Sequence, residues 1–181
     1  MWRAGMTALA LWAARLGGAL AHALPGSLLR VEHFGDALHI TASFPLQDLV
    51  IVAPELAAMA DLPTDAPLPS DMVAQLQRYL DQHITLAAGG SDLPLTLTQA
   101  RLHPVQDDHL GYFIEVISDW SAPHPQTSSE AAILTYDAVM HEVRNHRATV
   151  EWVSSRGTTQ NLAEYGFFSA NTGIKLAPKS D

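Results

Sequence analysis

The sequence predicts a mainly β fold: an antiparallel β-sandwich-like single domain with one main α-helix. Three observations carry that expectation. Short runs of alternating apolar and polar residues recur about every ten residues, with turn signals between them. One stretch, 71–83, instead carries an apolar stripe at helical spacing. The balance of 48% hydrophobic and 16% charged residues over 181 positions is that of a globular chain long enough to bury one core.

The first segment reads as an export signal. Met1, Trp2 and Arg3 give a short positive start, and 4–14 is an apolar run. Arg15 and Gly17-Gly18 end it, and Ala19-Leu20-Ala21 offers a small-x-small cleavage site. A membrane anchor needs about twenty apolar residues, and Arg15 interrupts the run well before that. Cleavage after Ala21 makes His22 the new N-terminus, and cleavage after Ala23 discards it; the signal grammar leaves both open. Residues 1–21 are therefore assigned to the signal, 22–176 to the exported domain, and 177–181 to a frayed end. The expected compartment is periplasmic or extracellular.

Along the mature chain, 27–33 reads as a first strand and Gly35-Asp36 as a turn. In 36–44, Leu38, Ile40, Ala42 and Phe44 alternate with His39, Thr41 and Ser43, which completes a hairpin. The run 49–53 is either a buried strand or a brief helical turn. Four prolines between Pro54 and Pro69 make a connector, with room for a short helix at 55–59. The main helix follows: Ser70 is placed to cap it, Asp71 complements its positive end, and Met72, Leu76, Tyr79, Leu80 and His83 share one face. That stripe is read as core packing, without a cofactor role.

The next strands are expected at 84–88 and 93–98 about a Gly89-Gly90 turn, then at 99–103 and 110–117 about a hydrophilic loop at 104–109. Loop 121–129 leads to two further runs, 133–140 and 148–153. These are read as neighbouring antiparallel strands joined by a solvated turn at 142–147, with Tyr136, Val150 and Trp152 facing inward. A last strand is expected at 162–169, anchored by Phe167 and Phe168, before a polar tail from Asn171. The total is about seven to nine strands.

The chemistry is sparser than the architecture. His141-Glu-Val-Arg-Asn-His146 resembles the H-E-x-x-H zinc motif, but its histidines are five residues apart, about 140° off a common helical face. No nucleophile elbow, phosphate-cradling glycine loop or informative carboxylate pair is present, so the expectation is a protein that is not an enzyme and needs no cofactor. With no cysteine, disulfides and thiolate metal sites are excluded. Loss of the signal leaves eight basic against nineteen acidic residues, a net charge of −11. That balance argues against nucleic acid as a partner and favours a cationic one. Nine histidines are the alternative source of function, because imidazole suits Ni, Cu and Zn. The candidate ligands are His22, a loop cluster of His103, Asp107, Asp108 and His109, and the pair His141 and His146.

Several stretches in order carry a family resemblance: Ala21-His22, Leu28-Leu-Arg-Val31, Phe44-Pro-Leu-Gln-Asp-Leu49, Gln77-Arg-Tyr-Leu80, Ile84-Thr-Leu86 with Gly89-Gly90, Leu134-Thr-Tyr-Asp137, and Asn145-His-Arg-Ala-Thr-Val150. Together they resemble the extracytoplasmic N-terminal region of HupE/UreJ-type membrane proteins, where such a region precedes a helical bundle associated with nickel or cobalt uptake. The matching residues are structural in kind, so no ligand residue is carried over. No hydrophobic span follows the signal in this sequence, and transport itself is not carried over either. The resemblance implies an exported, non-catalytic interaction or accessory domain, not itself membrane-spanning after cleavage, that works beside a membrane-protein partner. The alternative is a periplasmic Ni, Cu or Zn-binding protein using His22 and other histidines.

Overall fold

The computed structural model describes residues 26–124 and 130–177. Among the described residues ten strands form two sheets, mostly antiparallel, around one core. The larger sheet has six strands: β1 (Ser27–Phe34), β2 (Ala37–Pro45), β5 (Thr96–Asp107), β6 (Gly111–Pro123), β8 (Ala148–Val153) and β9 (Thr159–Tyr165), in the order β5-β6-β2-β1-β8-β9. The smaller sheet contains β3 (Ile84–Ala88), β4 (Ser91–Asp92), β7 (Ala132–Tyr136) and β10 (Ile174–Leu176), in the order β10-β7-β3-β4. The β-sandwich-like class and the main helix are as the sequence predicts.

The first hairpin follows its alternation. Leu29 and Val31 of β1 and Leu38, Ile40, Ala42 and Phe44 of β2 are all buried, while Arg30, Glu32 and Thr41 are exposed. Helix α1 (Leu46–Val52) and a 3₁₀ helix (Pro54–Asp61) then carry Leu49, Leu56 and Met59 into the core. So the run at 49–53 is helical, not a strand. Helix α2 (Ser70–Leu80) buries Met72, Leu76, Tyr79 and Leu80, the expected stripe. Ser70 is its first residue, and Pro69 occupies the cap position without a side-chain hydrogen bond.

Several boundaries differ from expectation. β5 runs on through 104–107, because its ladder with β6 continues to the Asp107–Gly111 pair, and β6 runs on through 118–123, where it pairs with β2 as well. The carboxylate of Asp107 then accepts the amide N–H groups of His109 and Leu110 and closes a tight turn. At the other end, β9 starts at Thr159, and Phe168 is 98% exposed, so it anchors nothing in the core. Within the expected tail, Ile174–Leu176 pairs with β7 as β10.

The main correction concerns the two runs expected to pair. β7 lies in the smaller sheet between β3 and β10, whereas β8 lies in the larger one between β1 and β9, parallel to β1. Every ladder edge of both strands is therefore taken by another partner. The segment between them crosses from sheet to sheet, burying Ala138, Val139, Met140 and His146 on the way. It is not the solvated turn that its polar sequence suggests. Val139 has φ +67, an outlier for a β-branched residue, where the chain leaves β7. Tyr165 ties the layers together, donating its hydroxyl to the Leu134 carbonyl at 2.9 Å.

Candidate metal centre

The β3–β7 register builds the site. Ile84 pairs with Tyr136, so the residues just beyond, His83 and Asp137, come opposite each other, and the Asp137 amide donates to the His83 carbonyl at 3.0 Å. The chain then makes one helical turn, with the His141 amide donating to the Asp137 carbonyl at 3.1 Å. That turn brings His141 back over His83. The rings stack with centroids 4.1 Å apart and planes 11° from parallel. Tyr79, one turn before His83 on α2, lays its ring 4.7 Å from that of His83 and accepts the Val139 amide through its hydroxyl at 2.9 Å.

His83, Asp137 and His141 each offer a ligand atom, and these atoms all lie within 4.8 Å of one another. Among the described residues this is the one such convergence of three or more ligand-bearing side chains. All three are half-buried, so an ion would be sheltered yet reachable. The Nδ1–H of His83 donates to Asp137 Oδ1 at 2.8 Å, and Asn171 Nδ2 donates to Asp137 Oδ2 at 3.1 Å. His141 directs its Nδ1 to the Asp137 main-chain oxygen at 3.3 Å. Asn171, like Val139, sits at positive φ (+65), so left-handed backbone flanks the site on two sides.

The residues singled out from sequence are dispersed. His141 is in this cluster, but His146, five residues on, turns into the core. His103 of β5 bonds Asp65 of the connector before α2 at 2.9 Å in an exposed pair. Asp107 spends its carboxylate on the β5–β6 turn that carries Asp108 and His109. Those two backbone N–H groups, Leu110's first, hold the Asp107 carboxyl below its usual range. His22 lies outside the described residues. In the sequence His83 belongs to the apolar stripe of the main helix, and Asp137 falls within the strand-like run 133–140. The available signal was the four-residue spacing from Asp137 to His141, which suits one helical turn.

His146 belongs to a second polar group with a familiar outline. Its Nδ1–H donates to Asp48 Oδ2 at 2.8 Å, and its Nε2 lies 2.8 Å from Ser27 Oγ. The connectivity is that of a Ser-His-Asp triad, which is recognised by geometry and role rather than order. Here all three members are closed off from solvent. Ser27 is 3% exposed, Asp48 2% and His146 1%. The Ser27 amide, a natural oxyanion donor, is spent on the Arg147 carbonyl at 2.8 Å. Gly26 permits that close approach, since a Cβ there would fall 2.5 Å from the same oxygen. The group acts as a tie joining β1, α1 and the crossing segment.

A groove of about 540 Å³ lined by Leu46, Val50, Ile51, Tyr112, Phe113 and Ile114 is apolar, and no converging set of metal-ligating side chains lines it. No family model matches the chain, and no curated protein matches it. Among the described residues no helix is long and apolar enough to cross a membrane.

Proposed function

We propose that this is an exported, non-catalytic accessory domain that binds a divalent first-row transition-metal ion at His83, Asp137 and His141. It would work beside a membrane protein of the HupE/UreJ type that its sequence resembles. One observation carries the metal reading: His83 and the Asp137–His141 turn, distant in the chain, bring three ligand atoms within 4.8 Å of one another. Two imidazoles and a carboxylate form a donor set suited to Ni, Cu or Zn. At most three protein ligands leave at least one coordination position open, which favours exchange over the closed four-ligand shell of a structural zinc site. The acidic surface adds long-range attraction for a cation. The export signal and the resemblance supply the compartment and the partner.

Calorimetric titration of the mature protein with Cu, Ni and Zn salts tests the reading. The expected result is one equivalent bound in the wild type, and none in His83→Ala or His141→Ala at the same micromolar concentrations. Equal uptake by both variants and the wild type, or no uptake by any, rejects the site.

A further inference from the structure

The hydrogen bonds of the cluster give its members unequal roles. A carboxylate and a carbonyl only accept, so the 2.8 Å contact to Asp137 Oδ1 places a proton on His83 Nδ1, and the 3.3 Å contact to the Asp137 main-chain oxygen places one on His141 Nδ1. Each ring is left with Nε2 as its free lone pair. Asp137 Oδ2 is engaged as well, by Asn171 at 3.1 Å. A histidine ligand that donates its other N–H to a carboxylate is the usual way of fixing tautomer and ring orientation at a metal.

The stack adds a second constraint. An imidazole lone pair lies in the ring plane, and a ligated ion sits about 2.0–2.1 Å from the nitrogen along it. Rings stacked 4.1 Å apart and 11° from parallel direct their lone pairs along separate, nearly parallel planes. One ion cannot lie in both planes, so both rings can bind it only after one has turned. His83 is held by the short bond to Asp137 and by the Tyr79 ring. His141 is held by the longer bond, by the stack and by a more distant Tyr79 ring at 6.2 Å.

From this geometry we infer that His83 Nε2 and His141 Nε2 are the metal-binding atoms, that Asp137 is a positioning residue for both imidazoles, and that His141 swings off the His83 ring when the ion enters. This rests on the metal reading above and narrows its donor set to the two imidazoles, with the Asp137 carboxylate orienting them instead of ligating. The metal-free centre is a closed stack with one fixed and one movable ligand, and the positions not filled by the two nitrogens remain open to water or an external donor. Such a site captures and releases its ion more readily than a preformed cage.

Long-range proton–nitrogen NMR of the histidine rings in the full mature protein, with Zn²⁺ as a diamagnetic probe, tests the assignment. The expected result is that Zn²⁺ shifts Nε2 of both rings while both Nδ1 nitrogens keep their protons. The ring-current displacement of the His141 carbon-bound protons by His83 should disappear at the same time. Titration of Asp137→Asn, whose side-chain oxygen can still accept from His83, should show Zn²⁺ affinity within about tenfold of wild type. Asp137→Ala should lose about 10–100-fold, the usual effect of removing an orienting partner. Zn²⁺ bound through Nδ1, a stack that persists with Zn²⁺ bound, or an Asn variant as weak as the Ala variant overturns the role assignment while leaving the metal reading standing. No Zn²⁺-dependent change at either ring overturns both.

Discussion

Asp48 and His146, 98 residues apart in sequence, meet at 2.8 Å with side chains 3% and 0% exposed. Neither can turn to water if the other is removed, and an unsatisfied buried donor or acceptor costs about 1–3 kcal/mol. Asp48→Ala and His146→Ala should each destabilise the fold by that order. The double variant should cost less than the sum of the two, because groups in one network couple. Urea unfolding of the three variants provides the double-mutant cycle, and strict additivity would show that the pair is not coupled.

Asn171 serves the cluster in two ways that substitution can separate. Its side chain donates to Asp137 Oδ2, and its backbone holds φ +65, which glycine tolerates and alanine does not. Asn171→Gly should remove the hydrogen bond without straining the backbone, at the added cost of a freer unfolded chain. Asn171→Ala should remove the bond and add strain, and so be less stable than the Gly variant by about 1 kcal/mol. Denaturant midpoints of the two variants, compared directly, check the order.

The sandwich was legible because alternation within a strand is local: Leu38 to Phe44 shows its buried face whichever strand lies beside it. Pairing partners are not local. Ile133 to Tyr136 and Ala148 to Val153 have the right pattern for neighbours, yet the chain between them carries Ala138, Val139 and Met140 into the core and delivers the second strand to the other sheet. The candidate site was half legible for the same reason. His141 was visible as a histidine near another, but His83 comes to it only through the β3–β7 register, and His146 is drawn away by a partner in α1.

The tryptophans and the terminal aromatic pair give a graded test of packing. Trp120 is 2% exposed and donates its Nε1–H to Ser118 Oγ at 2.8 Å, so Trp120→Ala should cost about 3–5 kcal/mol. The alternation of 148–153 predicts that Trp152 also faces inward. A register shift between Val150 and Glu151 breaks the alternation of β8 just before it, and it packs only partly buried against the core. Trp152→Ala should therefore cost less, about 1–3 kcal/mol. Phe168→Ala, at a fully solvated position, should change stability by no more than about 0.5 kcal/mol. Unfolding free energies of the three variants in one denaturant series should fall in that order.

The last prediction concerns acid. His33 Nε2 lies 3.2 Å from His124 Nδ1, and His124 Nε2 lies 3.1 Å from the Glu130 carbonyl. Burial, with the His124 imidazole as the next cause, lowers the His33 pKa from its ordinary 6.5. The Gly35 and His124 backbone and the Asp36 carboxylate oppose that shift, but do not reverse it. Because the folded value lies below the unfolded one, the unfolded chain takes up the proton first as pH falls. The contribution of His33 to stability is therefore complete above about pH 6.5 and is lost progressively below it, down to its lowered folded value. His33→Asn should remove this part of the pH dependence, so that its unfolding free energy falls less than that of the wild type between pH 7.5 and pH 5.5. Urea unfolding of both proteins across that range is the measurement. Parallel curves would mean that His33 titrates alike in the folded and unfolded chains, and a steeper fall in the variant would reverse the sign assigned to it.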